Sequence, residues 1–213
     1  MALTPEVKTE LASLGNDVKY LIAPDIEHHI FLSDWYSEYP KAHVIGPEGL
    51  PEKRAADSSI TLTVPFSTIF TAEGKRNIKV SEEFDRDFEY EYVDSHVNKE
   101  IVFFYKPEKV LIEADYLFNL PATEQYSRTG ESATTGLLTK IFVALNSTQG
   151  SAIWQKRLLW YAFASKPGYI TSTKRIGSWD FDVLIPCHGD VIEKSAKEVF
   201  NKIFEWQLAA QEK

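Results

Sequence analysis

The chain has 213 residues, with 44% hydrophobic and 13% aromatic side chains, enough to bury a core without disulfides or a structural metal. Thirty-one acidic against 23 basic residues leave a net charge of −8, which argues against a nucleic acid or an anionic membrane surface as partner, since both demand concentrated positive charge. Cys187 is the single cysteine and the first residues carry no basic stretch followed by an apolar run, so the expectation is a soluble, cytoplasmic protein, one domain over residues 1–213.

Thr4 as N-cap, Pro5 in the first turn and Gly15 at the end predict a helix carrying Val7, Leu11 and Leu14 on one face. Residues 18–23 (VKYLIA) form a nearly continuous apolar run, the pattern of a strand buried on both faces, which Pro24 and Asp25 break. Ile30, Phe31, Trp35 and Tyr39 recur at helical spacing over residues 27–39, and a short strand at 43–45 precedes a Gly/Pro turn at 46–51. Residues 52–58 and 121–135 are the softest segments by composition. Alternating acidic and aromatic residues over 87–93 (DFEYEYV) predict a strand with one wet and one buried face. Strands at 101–105 and 109–114 follow, joined by a turn at Lys106 and Pro107. Two or three helices fit residues 130–174, the clearest over 152–165, whose Trp154, Trp160, Tyr161 and Phe163 suit a core, a lid or a dimer surface. A strand at 181–185 and an amphipathic helix over 194–208 complete an α/β pattern.

Catalytic groups in α/β folds collect where strands run out into loops. Three such places are rich in ligand-capable residues: 23–29 (APDIEHH), 113–119 (EADYLFN) and 186–190 (PCHGD), and Asp94-Ser95-His96 precedes a strand. Together they offer Asp25, Glu27, His28, His29, His96, Asp115, His188 and Asp190, an inventory of imidazoles and carboxylates that suits a transition metal. Gly189 is expected to serve a tight turn that presents His188. His43, beside a short strand, reads as structural, and Cys187 as a small buried apolar residue, with no cationic cluster nearby to activate it. Nucleophile-elbow, Walker, dinucleotide-binding and zinc-protease motifs are absent, so no nucleotide cofactor is implied.

Three blocks in order resemble the metallo-β-lactamase fold superfamily, and within it a divergent branch of unknown function with a degenerate metal-binding loop. Residues 18–54, starting VKYLIAPDIEHH, are similar to that branch's first block, where a Pro-Asp turn and a His-containing helix replace the usual His-x-His-x-Asp-His loop. Residues 94–120 (DSHVNKEIVFFYKPEKVLIEADYLFNL) resemble the ligand histidine before one strand and the bridging aspartate after the next, here His96 and Asp115. Residues 181–192 (FDVLIPCHGDVI) resemble the last ligand block, with His188 in its histidine's place.

The resemblance implies a four-layer αββα sandwich, smaller by an N-terminal β-hairpin or trimmed there. It further implies a reduced, mononuclear site with Glu27, His28, Asp115 and His188 as ligands. The register that matches His28 to the loop's final histidine places Asp25 and Glu27 at ligand positions; a shift by one would place His29 last and leave His28 at an earlier position. His96 or Asp25 would then act as general base or substrate contact. A carboxylate-rich set admits iron or manganese beside zinc as the divalent metal. The implied activity is hydrolysis of an ester, lactone, amide or phosphoester of a small molecule. Two alternatives stand beside it: a metal-free pseudoenzyme binding a small molecule or a protein, and metal-free hydrolysis by an Asp–His pair. A homodimer is compatible with the aromatic helix.

Overall fold

In a computed structural model the structure describes residues 1–211, and the chain divides into two compact units, Met1–Ile78 and Lys79–Lys213. Each has its own sheet and its own apolar core.

The smaller unit opens with α1 (Pro5–Ser13), started by the Thr4 hydroxyl, which accepts from the Val7 amide at 3.4 Å, and ended by Gly15 at φ +96°. Its sheet is parallel throughout, in the order β1 (Tyr20–Ile22), β2 (His43–Pro47), β3 (Thr68–Phe70). The helix predicted over 27–39 is α2 (Leu32–Glu38), which starts late because the chain first turns around Asp25. Ile30, expected on its buried face, is 77% exposed. The turn expected at 46–51 and the soft segment at 52–58 are largely ordered. β2 extends through Gly46 and Pro47, and α3 (Leu50–Ala56) begins after Gly49 at φ +86°, with Pro51 in its first turn. Leu21, Ala23, Val44 and Leu50 form the centre of this unit's core. His43 donates to or accepts from the Thr68 hydroxyl at 2.8 Å, the structural role expected of it.

The larger unit begins with α4 (Glu82–Asp87), capped by Ser81. Its sheet runs in the order β4 (Phe88–Val93), β5 (Glu100–Tyr105), β6 (Val110–Ile112), β7 (Val183–Ile185). The first three strands are antiparallel neighbours, while β7 joins β6 in parallel. β4 departs from the wet-and-dry alternation: Glu91, Tyr92 and Val93 are all buried. Glu91 can be buried because the Ser172 hydroxyl donates to it at 2.6 Å and the Arg175 guanidinium lies at 3.1 Å.

Helices α5 (Thr123–Tyr126), α6 (Leu137–Leu145), α7 (Ile153–Phe163) and α8 (Tyr169–Ser178) fill the long stretch between β6 and β7. Of the core, lid and dimer-surface readings of α7, the core reading fails for Trp154 and Tyr161. Gln155, Lys156 and Leu159 are its buried residues, whereas Trp154 is 54% and Tyr161 79% exposed. The helix predicted over 194–208 is two, α9 (Ala196–Ile203) and α10 (Glu205–Ala209), meeting at Phe204. Tyr116, Tyr169, Phe181, Phe200 and Phe204 pack the core of this unit with ring centroids 4.5–6.4 Å apart. Among the described residues no helix is long and apolar enough to cross a membrane.

Candidate functional site

β6 and β7 set the geometry of the larger unit's site. Because they are parallel, their following loops leave from the same end of the sheet, and Ile112 pairs with Ile185. Asp115 and His188 are each the third residue beyond that pair, and Asp115 Oδ1 stands 3.1 Å from His188 Nε2. The other carboxylate oxygen, Oδ2, accepts from the Asn98 side-chain amide at 2.5 Å. The Phe118 ring lies 4.6 Å from the His188 ring and restricts its rotation. The Asp115 side chain is 13% exposed, against 42% for His188, so the pair sits at a surface with its carboxylate sunk beneath it.

A buried scaffold holds this pair. Glu100, fully buried at the start of β5, accepts from the Ala114 and Asp115 amides at 2.8 and 2.9 Å and so fixes the turn that carries Asp115. Glu113 accepts from the Leu117 amide at 3.0 Å through Oε2, while its buried Oε1 has no hydrogen-bond partner. Burial, and then the charge of Glu100, push its carboxyl well above the usual carboxylate range, favouring the protonated form. His96 is 4% exposed and stacked on Phe163 at 4.7 Å. Its Nδ1 accepts from the Asn98 amide at 3.4 Å and lies 3.9 Å from Glu100. His96, Asn98 and Asp115 thus form a connected polar row, and all three line a cavity of about 310 Å³ whose walls include Phe118, Gln155 and Phe163.

The turn at Gly189 behaves as its residue type predicts. Its φ is +112°, and a Cβ there would fall 2.1 Å from the Asn119 carbonyl oxygen. That approach lets the Asn119 amide donate to the His188 carbonyl at 3.0 Å and accept the Asp190 amide on its own carbonyl at 3.1 Å. Asp190, part of the ligand inventory, is a cap instead, accepting from the Thr123 hydroxyl and, at 2.8 Å, from the Glu124 amide. Cys187 is exposed rather than buried: β7 ends at Ile185 and the chain leaves the sheet before reaching the thiol.

The smaller unit holds a second carboxylate–imidazole pair. Asp25 is fully buried, its Oδ1 accepting from the Glu27 and His28 amides at 2.7 Å each, and its Oδ2 2.7 Å from His28 Nδ1. This clasp directs Nδ1 to the carboxylate and leaves Nε2 as the ring nitrogen for other partners. Glu27 points away from this pair to Lys53, at 2.7 Å, with its side chain 54% exposed. His29 is buried against Arg54, whose guanidinium donates to its carbonyl at 3.0 Å; burial, then the Arg54 charge, hold its imidazole below the ordinary histidine range.

No protein-family model matches the sequence, and no curated protein matches it. Solved structures do. A flavodiiron protein from Giardia intestinalis matches with a TM-score of 0.51 at 14% identity, over 95% of this chain and 46% of that one. A flavoprotein from Thermotoga maritima matches with a TM-score of 0.51 at 12% identity, over 97% and 48%. The flavodiiron proteins carry the metallo-β-lactamase fold. This chain has the metallo-β-lactamase fold. Its class is the mixed α/β, αββα type of that fold. A metallo-β-lactamase from Pontibacter korlensis is also similar, with a TM-score of 0.48 and 13% identity over 97% of this chain and 77% of that one. The chain spans about half the length of the flavodiiron and flavoprotein chains it matches, and at these identities the likeness is one of fold, not of activity.

Within the metallo-β-lactamase fold, the residues that sequence reasoning passed over are Asn98, Glu100 and Glu113, which orient or support Asp115. One signal was available for Glu100, a lone charge at the head of the otherwise apolar run EIVFFY.

Proposed function

We propose that the chain is a metal-dependent hydrolase acting on an ester, lactone, amide or phosphoester of a small molecule, with Asp115 and His188 as ligands of one divalent zinc, iron or manganese ion. The supporting observation is the 3.1 Å between Asp115 Oδ1 and His188 Nε2. Two donors each about 2.1 Å from a common ion stand roughly 3.0 Å apart in octahedral and roughly 3.4 Å apart in tetrahedral arrangement, so this spacing fits a shared ion. The donor chemistry, one imidazole and one carboxylate, fits as well. Such an ion supplies Lewis-acid activation of water and of the substrate's oxygen.

The chain's own residues supply orientation. Asn98 occupies Asp115 Oδ2 and so commits Oδ1 to the His188 side. His96, lining the same cavity as Asp115, is the proposed acid–base or substrate contact. Asp25 has both oxygens engaged and acts on His28 as a positioning residue. Within the smaller unit Glu27 is already paired with Lys53.

Metal content of protein purified without chelator tests the proposal. About one equivalent is expected, with affinity for the ion falling at least roughly 10- to 100-fold in Asp115→Ala and His188→Ala, the range for loss of an outer-shell partner alone. A metal content below a tenth of an equivalent, unchanged by either substitution, would overturn it. A second reading, a metal-free binding protein of the same fold, is favoured by one observation: Asp115 is already satisfied by His188 and Asn98. It predicts ligand binding that chelator leaves unaltered.

A further inference from the structure

The larger unit's cavity has a chemical character that the hydrolase proposal leaves unused. Its volume of about 310 Å³ lies at the small end of ligand pockets. Its polar row is linked residue to residue, His96 to Asn98 to Asp115, so these charges and amides sit together, and aromatic and aliphatic side chains make up most of the rest. Leu158, Leu159, Ala162 and Phe163 form one stripe of α7 along this lining, joined by Phe142 of α6. Leu159 belongs to the core and Phe163 packs against it, but Leu158 and Phe142 are not core positions, being 43% and 51% exposed. Apolar side chains left open beside a polar row suit an apolar ligand group.

A second observation specifies the ligand further. Gln155 lies on the same stripe, lines the cavity and is 1% exposed. Its side-chain nitrogen donates to the Phe118 carbonyl at 2.8 Å, but its Oε1 is buried with no hydrogen-bond partner. A buried acceptor without a donor is costly, and a ligand N–H or O–H would supply one. The nearby Asp115 carboxylate and the net charge of −8 disfavour an anionic ligand.

We infer that this site takes a neutral, N–H-bearing amide with a short alkyl chain or a single ring, the apolar group lying among Phe142, Leu158 and Phe163 and the amide toward Gln155 and the Asp115 end. The inference deepens the hydrolase proposal by naming its substrate class, and rests on it for the identity of the reacting end.

Binding of acetamide, butanamide and hexanamide to chelator-treated protein, followed by calorimetry, tests it without turnover. Affinity should rise about fourfold per added methylene. Methyl hexanoate, which lacks the N–H, should bind at least about tenfold more weakly than hexanamide. Ala162→Trp, at an exposed position of the lining, should abolish the dependence on chain length. Phe142→Ala, also at an exposed position, should weaken hexanamide about tenfold and guards against a folding defect in the first variant. Equal affinity across the series, or a series unchanged in both variants, would overturn the inference. Length-dependent binding with no turnover by metal-loaded protein would overturn the hydrolase proposal and leave the binding inference standing. Turnover with a flat series would do the reverse.

Discussion

The two units each hold an aspartate against a histidine ring, yet they arrive at that contact by different routes. Asp25 and His28 are three residues apart, and a single turn closed by two backbone amides brings them to 2.7 Å. Asp115 and His188 come from the ends of two parallel strands and meet at 3.1 Å only because Ile112 and Ile185 are in register. The local pair is built on a fully buried carboxylate whose oxygens are all engaged, and removing it injures the fold of the turn. The long-range pair is open to solvent on its histidine side and is held by side chains, so its removal is expected to spare the fold. A short-range clasp is a structural device, and a contact assembled by topology is available for function.

Four experiments would break or sharpen that contrast. The largest effect is expected for Asp115→Ala, a loss of metal affinity larger than the roughly 10- to 100-fold expected for Asn98→Ala, which removes the amide donor to Asp115 Oδ2. Gly189→Ala comes next. Its Cβ would lie 2.1 Å from a backbone oxygen that cannot yield cheaply, so urea unfolding should show a loss of about 3 kcal/mol or more. Asp25→Ala leaves two backbone amides and an imidazole without their acceptor and should cost about 2–3 kcal/mol by the same measurement. If it cost nothing, the local pair would not be the structural one.

The smallest effect concerns pH. Glu113's carboxyl is raised by burial, so the native state holds its proton above pH 4.5, where the unfolded chain releases it. Its contribution is complete below that value and is lost as pH rises through the folded one. Glu113→Gln keeps an acceptor for the Leu117 amide and should flatten this fall, gaining stability relative to the parent as pH increases. Parallel stability curves for the two proteins would refute the assignment.

Features with local causes could be read from the chain alone. The Thr4 cap, Pro5 and the Gly15 stop define α1 without reference to any other residue, and the apolar runs of β5, β6 and β7 are strands because of their own composition. His188 and Gly189 are legible for the same reason, since a glycine between a histidine and an aspartate announces a backbone conformation other residues resist. Expectations failed where a side chain captured backbone groups or charges found partners far off in sequence. The helix over 27–39 loses its first turn to the Asp25 carboxylate. Glu91 is buried although the sequence of its strand alternates, because Ser172 and Arg175 arrive from α8. Glu100 and Asn98 matter only once β5 and β6 are paired, and no periodicity encodes a carboxylate that accepts amides 14 and 15 residues away. The fold class and the candidate pair, Asp115 and His188, are therefore visible in the sequence, and the supporting residues behind them are not.

The exposed thiol of Cys187 gives the protein a natural reporter. It is the sole cysteine, it lies one peptide unit before His188, and its carbonyl is held by the Gln125 side chain at 3.3 Å. A maleimide fluorophore or spin label would attach there and nowhere else, beside the proposed metal ligand. The same position is an exposure to hazard: an oxidant or alkylating agent that found this sulfur would place new bulk or charge directly beside the histidine.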